Sequence, residues 1–339
     1  MNPFTQDSTA SIASLGERRV IAAIRRWLGS SSPKAPFGLG DDCAVVPPSN
    51  GPQLLTVDPV IYGQHFDDKV SPAAAGAKLF KRNLSDIAAM GGIPRFAVIA
   101  LAIDPCVRIR WLELFYRSIA RISRTYDVPI VGGDVAELSG GIVATLTLLG
   151  AASPQNRRIL TRSGAHAGDW ICVTGRIGGS RQSHHWSFTP RLEEGKWLAG
   201  RSEVVAMMDV SDGLAKDLGA LTPAGTIARL DPREVPISRH ARVASRSSGR
   251  TPMAHALGDG EDYELAFVIR HSSDFASFSQ AWRRKFPRVQ LSRIGRFFKC
   301  SAEAGVPAGW IDAETYGGFE HLRLMSRSRR RRDLKRKLM

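Results

Sequence analysis

The sequence predicts an α/β protein of two domains, and three observations carry that expectation. Apolar runs with strand and helix periodicity alternate up to about residue 150, and the pattern restarts after Ser153-Pro154-Gln155-Asn156. Aspartates recur where apolar runs stop, often beside glycine. With 339 residues, 43% of them hydrophobic, the chain can bury two ordinary cores. The expected limits are 1–150, 151–322 and a basic tail, 323–339.

In chain order, 15–28 is an amphipathic helix with Val20, Ile21, Ile24, Trp27 and Leu28 on one face, stopped by Gly29 and Pro33. Gly38-Leu39-Gly40-Asp41-Asp42 leads into a short strand, 43–46, closed by two prolines. A second strand, 53–57, delivers Asp58 at its end. Residues 72–90 form a helix ended by Gly91-Gly92, 95–103 a strand, and 110–126 a helix with Trp111, Leu114, Phe115 and Ile119 towards a core. The brief strand 128–131 runs into Gly132-Gly133-Asp134, where glycines let a backbone approach a ligand closely. Strand 142–149 completes the first unit.

The second unit has strands at 169–173, 206–210 and 265–269, with 289–297 and 310–322 completing it. Thr174-Gly175-Arg176-Ile177-Gly178-Gly179-Ser180 lacks the Gly-Lys-Ser/Thr ending of a phosphate loop. Ser211-Asp212-Gly213 reads as the cap of a helix at 214–221, a place that suits phosphate or a metal-holding carboxylate. Four acids in the six residues 259–264 exceed what a turn needs.

Composition excludes several classes. No run reaches the roughly 18 uninterrupted apolar residues of a membrane span, and the polar N-terminus lacks a signal-peptide pattern, so a cytoplasmic protein without membrane contact is expected. Cys43, Cys106, Cys172 and Cys300 form no CxxC pair and read as reduced thiols packed in cores. The formal charge of +15 is uneven, with nine Lys or Arg against Asp333 alone from Arg323 onward. Such a tail reads as a solvated appendage first and as a contact for nucleic acid or another polyanion second.

Chemistry centres on 83–91, Asn-Leu-Ser-Asp-Ile-Ala-Ala-Met-Gly, which puts one carboxylate, Asp86, on a small and apolar helix. A buried carboxylate without a partner costs several kcal/mol, so Asp86 should meet a cation. Asp42, Asp58, Asp134, Asp209 and Asp212 sit in Gly-rich or strand-end contexts, where a strand ends or a helix begins. If their loops converge, hard divalent cations with oxygen ligands, magnesium carrying phosphates above all, offset the repulsion.

Taken together, 38–46, 58–66, 83–91, 132–134, 160–164, 168–170, 209–218 and 260–265 resemble the thiamine-monophosphate kinases of the aminoimidazole-ribonucleotide-synthase superfamily, over residues 14–322. The resemblance implies a two-domain PurM-like architecture of α/β (α+β) class. Its N-terminal domain would contribute to an intersubunit β-barrel in a homodimer, beside a C-terminal α/β domain. It implies that ATP is held by several Mg²⁺ ions and that the γ-phosphoryl passes directly to thiamine monophosphate, giving thiamine diphosphate and ADP.

Carried over by position, the implied metal ligands are Asp42, Thr56, Asp58, Asp86, Asp134, Asp209 and Asp212. Implied nucleotide contacts are Gly133, Asp134, Arg162 and Ser211, and implied substrate contacts are His65, Glu261 and Phe319. No catalytic side chain is required, because a phosphate monoester, with a second pKa of about 6, is already mostly a dianion at neutral pH.

The chain departs from the family pattern at Thr56-Val57-Asp58-Pro59, at Val135, at Ser187-Phe188-Thr189-Pro190-Arg191 and in a shortened segment after Ser180. Two alternatives stay open: a superfamily enzyme with another acceptor, and a nucleotide-binding protein without turnover whose basic tail docks on a polyanion.

Overall fold

A computed structural model describes residues 1–34, 37–39, 43–44, 46–155, 157–180 and 184–319. Two sheets organise the described residues. The first contains β1 (Gln53–Ile61), β2 (Ile93–Ile103), β3 (Ile130–Glu137) and β4 (Ile142–Ala151) in the order β1-β4-β2-β3. Its pairs are antiparallel except for the parallel pair β2 and β3. Helices α2 (Pro72–Ala89) and α3 (Ile109–Tyr126) pack on each other, with α2 on the sheet, and α1 (Glu17–Leu28) lies on α3. α2 starts at Ser71, whose side chain accepts from the Ala74 N–H, with Pro72 in the first turn where no donor is needed.

The second sheet is wholly antiparallel. Its strands are β5 (Trp170–Thr174), β6 (Val204–Asp209), β7 (Thr226–Leu230), β8 (Leu265–Ile269), β9 (Leu291–Lys299) and β10 (Ile311–Asp312), in the order β10-β7-β9-β5-β8-β6. Its helices are α4 (His184–Ser187), α5 (Leu192–Ala199), α6 (Leu214–Leu221), α7 (Arg239–Ser248), α8 (Pro252–Gly258) and α9 (Phe275–Lys285). Every residue of β8 is buried, and alternate residues serve two cores. Leu265, Phe267 and Ile269 join Leu79, Ile87, Leu198 and Trp282, while Ala266 and Val268 join Leu214, Leu218 and Phe297. The first of these cores is shared by both halves of the chain.

α2 is the joint between the halves. It packs on α5, where glycine permits close approach: a Cβ on Gly195 would stand 2.1 Å from the Ala88 carbonyl oxygen. Gly195→Ala is therefore expected to cost about 1–3 kcal/mol through overpacking. The check is the urea unfolding midpoint against wild type.

Several expectations are corrected. Of the strand expected at 43–46, Cys43, Ala44 and Val46 are described and carry no strand. β1 continues through Asp58 to Ile61 rather than ending at Val57. It runs along the sheet edge, where the missing N–H of Pro59 can be tolerated. β3 likewise runs through Gly132-Gly133-Asp134, which is strand and not turn. There a Cβ on Gly133 would meet the Ile99 carbonyl oxygen at 2.2 Å, so the strand contact itself also requires glycine. Cys43, Cys106 and Cys300 are exposed free thiols, and Cys172 alone of the four is buried. The tail from residue 320 onward lies outside the described residues.

Candidate active site

The strand period places Thr56, Asp58 and Val60 on the face of β1 that α2 covers, opposite Leu148, Leu146 and Ala144 of β4. Asp86, on α2, meets this face, and the Thr56 hydroxyl donates a short hydrogen bond to its carboxylate. The preceding residue is turned by about 100° around the helix. Ser85 thus faces the other half of the chain, where its hydroxyl donates to Asp209 Oδ2 at 2.7 Å. Adjacent residues of one helix therefore tie together a strand of each sheet.

The charges gathered here are unbalanced. Burial pushes the Asp86 carboxyl up to about 7, with repulsion from Asp209 adding to it and the Thr56 hydrogen bond and Arg82 opposing it. Asp209, at the end of β6, is also held above the ordinary range, chiefly by burial; Ser85 and Arg162 pull the other way and Asp58 adds repulsion. Thr56, Asp86, Arg162, Met207 and Asp209 line a cavity of about 450 Å³. Arg162 lies just before β5, next to Thr161, whose carbonyl accepts from the Met207 N–H at 2.9 Å.

The donor set is oxygen only, with two repelling carboxylates backed by hydroxyls, and this fits a hard divalent cation. Among the described residues, no group of three His, Cys, Asp or Glu is already close enough to chelate one ion by itself. Phosphate oxygens supplied by a nucleotide would complete such a shell.

A second group adjoins the first. The expected cap at Ser211 and Asp212 is replaced: Gly213 precedes α6 without a side-chain cap, and Asp217 Oδ2 accepts from the backbone N–H groups of Ser211 and Asp212 at 2.9 and 3.0 Å. Burial and the nearby Asp209 push Asp217 up to about 7. Lys216 bridges the Asp212 carboxylate and the Phe319 carbonyl, both at 2.6 Å, and leaves the Phe319 ring partly exposed.

Glu261 donates its N–H to the Ser211 carbonyl at 2.8 Å and pairs with buried Lys78 at 2.6 Å. Burial raises its carboxyl, and Lys78, helped by His185 and Arg82, outweighs that, so the net shift is downward. The other acids of 259–264 go elsewhere: Asp259 to Arg250 and His255, Asp262 to the Gly178 N–H, and Glu264 to Arg191.

Thus Thr56, Asp58, Asp86 and Asp209 come together with Arg162 nearby, and Ser211, Asp212, Glu261 and Phe319 form the adjoining group. Gly133 and Asp134 do not join them within one chain. They lie on β3, at the opposite edge of the first sheet from β1, with Asp134 exposed. His65 follows β1, its Nδ1 accepting from the Ile61 N–H at 3.1 Å. Asp42 lies outside the described residues. The departures at Val57 and Val135 fall away from the carboxylates: Val57 points to the open face, and Val135 packs against the first core. The reading of single residues missed Ser85 and Arg82; Ser85 was within reach, since it stands beside Asp86 in the motif.

Residues 40–152 match the family described as AIR synthase related protein, N-terminal domain. The chain is 34% identical over 298 residues to the thiamine-monophosphate kinase of Rhodopirellula baltica, covering 84% of this chain and 93% of that protein. Among solved structures, thiamine-monophosphate kinase from Stenotrophomonas maltophilia K279a superposes with a TM-score of 0.68 at 27% identity, over 82% of this chain and 93% of the other. AaThiL complexed with AMPPCP and TMP gives a TM-score of 0.62 at 28% identity, over 84% and 92%. On these matches and on the fold they share, the chain belongs to the thiamine-monophosphate kinase family of enzymes.

Proposed function

We propose that the protein transfers the γ-phosphoryl group of ATP directly to the phosphate of thiamine monophosphate, with Mg²⁺ as cofactor. The observation that carries this reading is the convergence of Asp86 and Asp209 from the two halves of the chain on one cavity that Arg162 also lines. The AMPPCP and TMP bound by the similar structure support the two substrates.

Asp58, Asp86, Asp209 and the Thr56 hydroxyl would hold Mg²⁺ here, with Asp212 adjoining. Bound Mg²⁺ supplies charge neutralisation for the two repelling phosphates. Arg162 lines the same cavity and offsets part of the Asp209 charge, and Glu261, His65 and the partly exposed Phe319 ring would orient the acceptor. No protein base is assigned, because the acceptor phosphate is already ionised at neutral pH. Positioning is then the main contribution of the side chains.

The reading includes a homodimer. Leu55 is 73% exposed and Val57 59% exposed on the open face of the first sheet, an apolar exposure that a second copy would cover. Leu55→Glu is expected to shift the protein to monomer in light scattering coupled to size exclusion. The exposed free thiols support a reducing, cytoplasmic setting. Among the described residues no helix is long and apolar enough to cross a membrane.

The test is formation of thiamine diphosphate from thiamine monophosphate and ATP by the purified protein. Product that appears with Mg²⁺ and disappears with EDTA supports the proposal. Absence of product despite measurable ATP binding would overturn the assignment of the acceptor.

A further inference from the structure

Arg82 is a cation lodged among the carboxylates read above as metal ligands. Its side chain leaves α2 towards β1 and is only 15% exposed. One terminal nitrogen donates to the Pro59 carbonyl at 2.8 Å. Its Nε lies 3.3 Å from Asp58 Oδ2, yet it is not aligned for a hydrogen bond, and among the described residues it has no hydrogen-bond partner. Asp86, Glu261 and the Tyr263 hydroxyl also act on it electrostatically. Of the other cations nearby, Lys78 pairs with Glu261 and Arg191 with Glu264, while Arg162 acts on Asp209.

A guanidinium cannot shed its proton in a protein, so Arg82 brings a permanent positive charge to this place. Burying it is costly unless negative charge surrounds it, and the cluster provides that charge. The same field attracts a divalent ion. An ion approaching Asp58 must therefore draw the carboxylate away from Arg82 or bind beside a positive charge, and both weaken its binding.

From this geometry we propose that Arg82 is a resident counter-ion of Asp58 that competes with divalent metal, holding the carboxylate in place and lowering the metal affinity of the nucleotide-free enzyme. It is a positioning residue, acting through Asp58. The proposal rests on the reading of the carboxylates as a metal site.

The experiment titrates the full-length protein with Mn²⁺, without nucleotide, and counts free ion by electron paramagnetic resonance. Arg82→Gln is expected to bind Mn²⁺ at least tenfold more tightly than wild type. Arg82→Lys, which keeps the charge, should stay within about threefold of wild type. The gain should vanish when Arg82→Gln is combined with Asp58→Asn, because the competed carboxylate is gone. Arg82→Met keeps the apolar stem and gives the same readout if the glutamine variant does not fold. Unchanged or weaker binding in the charge-free variants, with wild type binding Mn²⁺, overturns the role of Arg82 alone. Persistence of the gain in the Asp58→Asn background overturns its action through Asp58. Absence of Mn²⁺ binding in every protein overturns the metal reading together with this one.

Discussion

Asp86→Asn is expected to lower the rate of thiamine diphosphate formation by roughly 10²–10³-fold or more, the loss seen when one preorganised electrostatic partner of a transition state is removed. The same substitution should stabilise the metal-free protein. In the folded state burial and Asp209 push the Asp86 carboxyl up to about 7, from an ordinary 3.8. Between those values the folded state keeps a proton that the unfolded chain releases, so stability falls as pH rises and levels off above about 7. Urea unfolding in EDTA at about pH 5 and about pH 8 should show that decline in wild type and a flatter response in Asp86→Asn. An activity loss accompanied by lower metal-free stability would instead indicate damage to the fold.

The second large effect is expected at Arg191→Met. The Arg191 guanidinium grips the Glu264 carboxylate with two hydrogen bonds, at 2.7 and 2.5 Å, and the Thr174 hydroxyl adds a third at 2.7 Å. Glu264 is almost fully buried. Removing the arginine leaves a buried carboxylate without its counter-charge, which costs about 3–5 kcal/mol. Adding Glu264→Gln should recover much of that loss, because an amide can still accept from Thr174 without carrying charge. Denaturant midpoints of the single and double variants check both statements. If the double variant is no better than the single one, packing rather than charge holds this corner.

These two sites show how unevenly the sequence could be read. Asp86 stood out because a carboxylate on an apolar helix needs a partner, and the structure gives it a hydroxyl and a crowd of like charges. The long periodic elements were legible for the same reason: α2, α3 and β4 have clear burial patterns that propensity alone supports. Glu264 was counted among four clustered acids, but its partner Arg191 is 73 positions away, and local sequence does not show which distant cation an acid meets. The limits of β1 and β3 were misjudged because Pro59 and the glycine pair are stop signals in most settings. An edge position and a tight strand contact override them here. Helix α7 buries only two alanines, a faint signal, whereas α9 carries Phe275, Phe278 and Trp282 at helical spacing and was legible but left unread. Asp217 was passed over because a cap is usually sought before the helix it serves.

The arrangement of Ser85 and Asp86 has a consequence for the order in which the chain matures. When synthesis has passed β4, Thr56, Asp58 and Asp86 are all available, but Arg162 and Asp209 have yet to be made. The face of α2 that will meet α5 and β6 then lacks its cover, with Ala88 among the residues waiting for it. A nascent first half is therefore incomplete in two ways at once, because the closure that hides this apolar stripe also delivers Asp209. Competence for chemistry and escape from aggregation would be reached in one event late in translation.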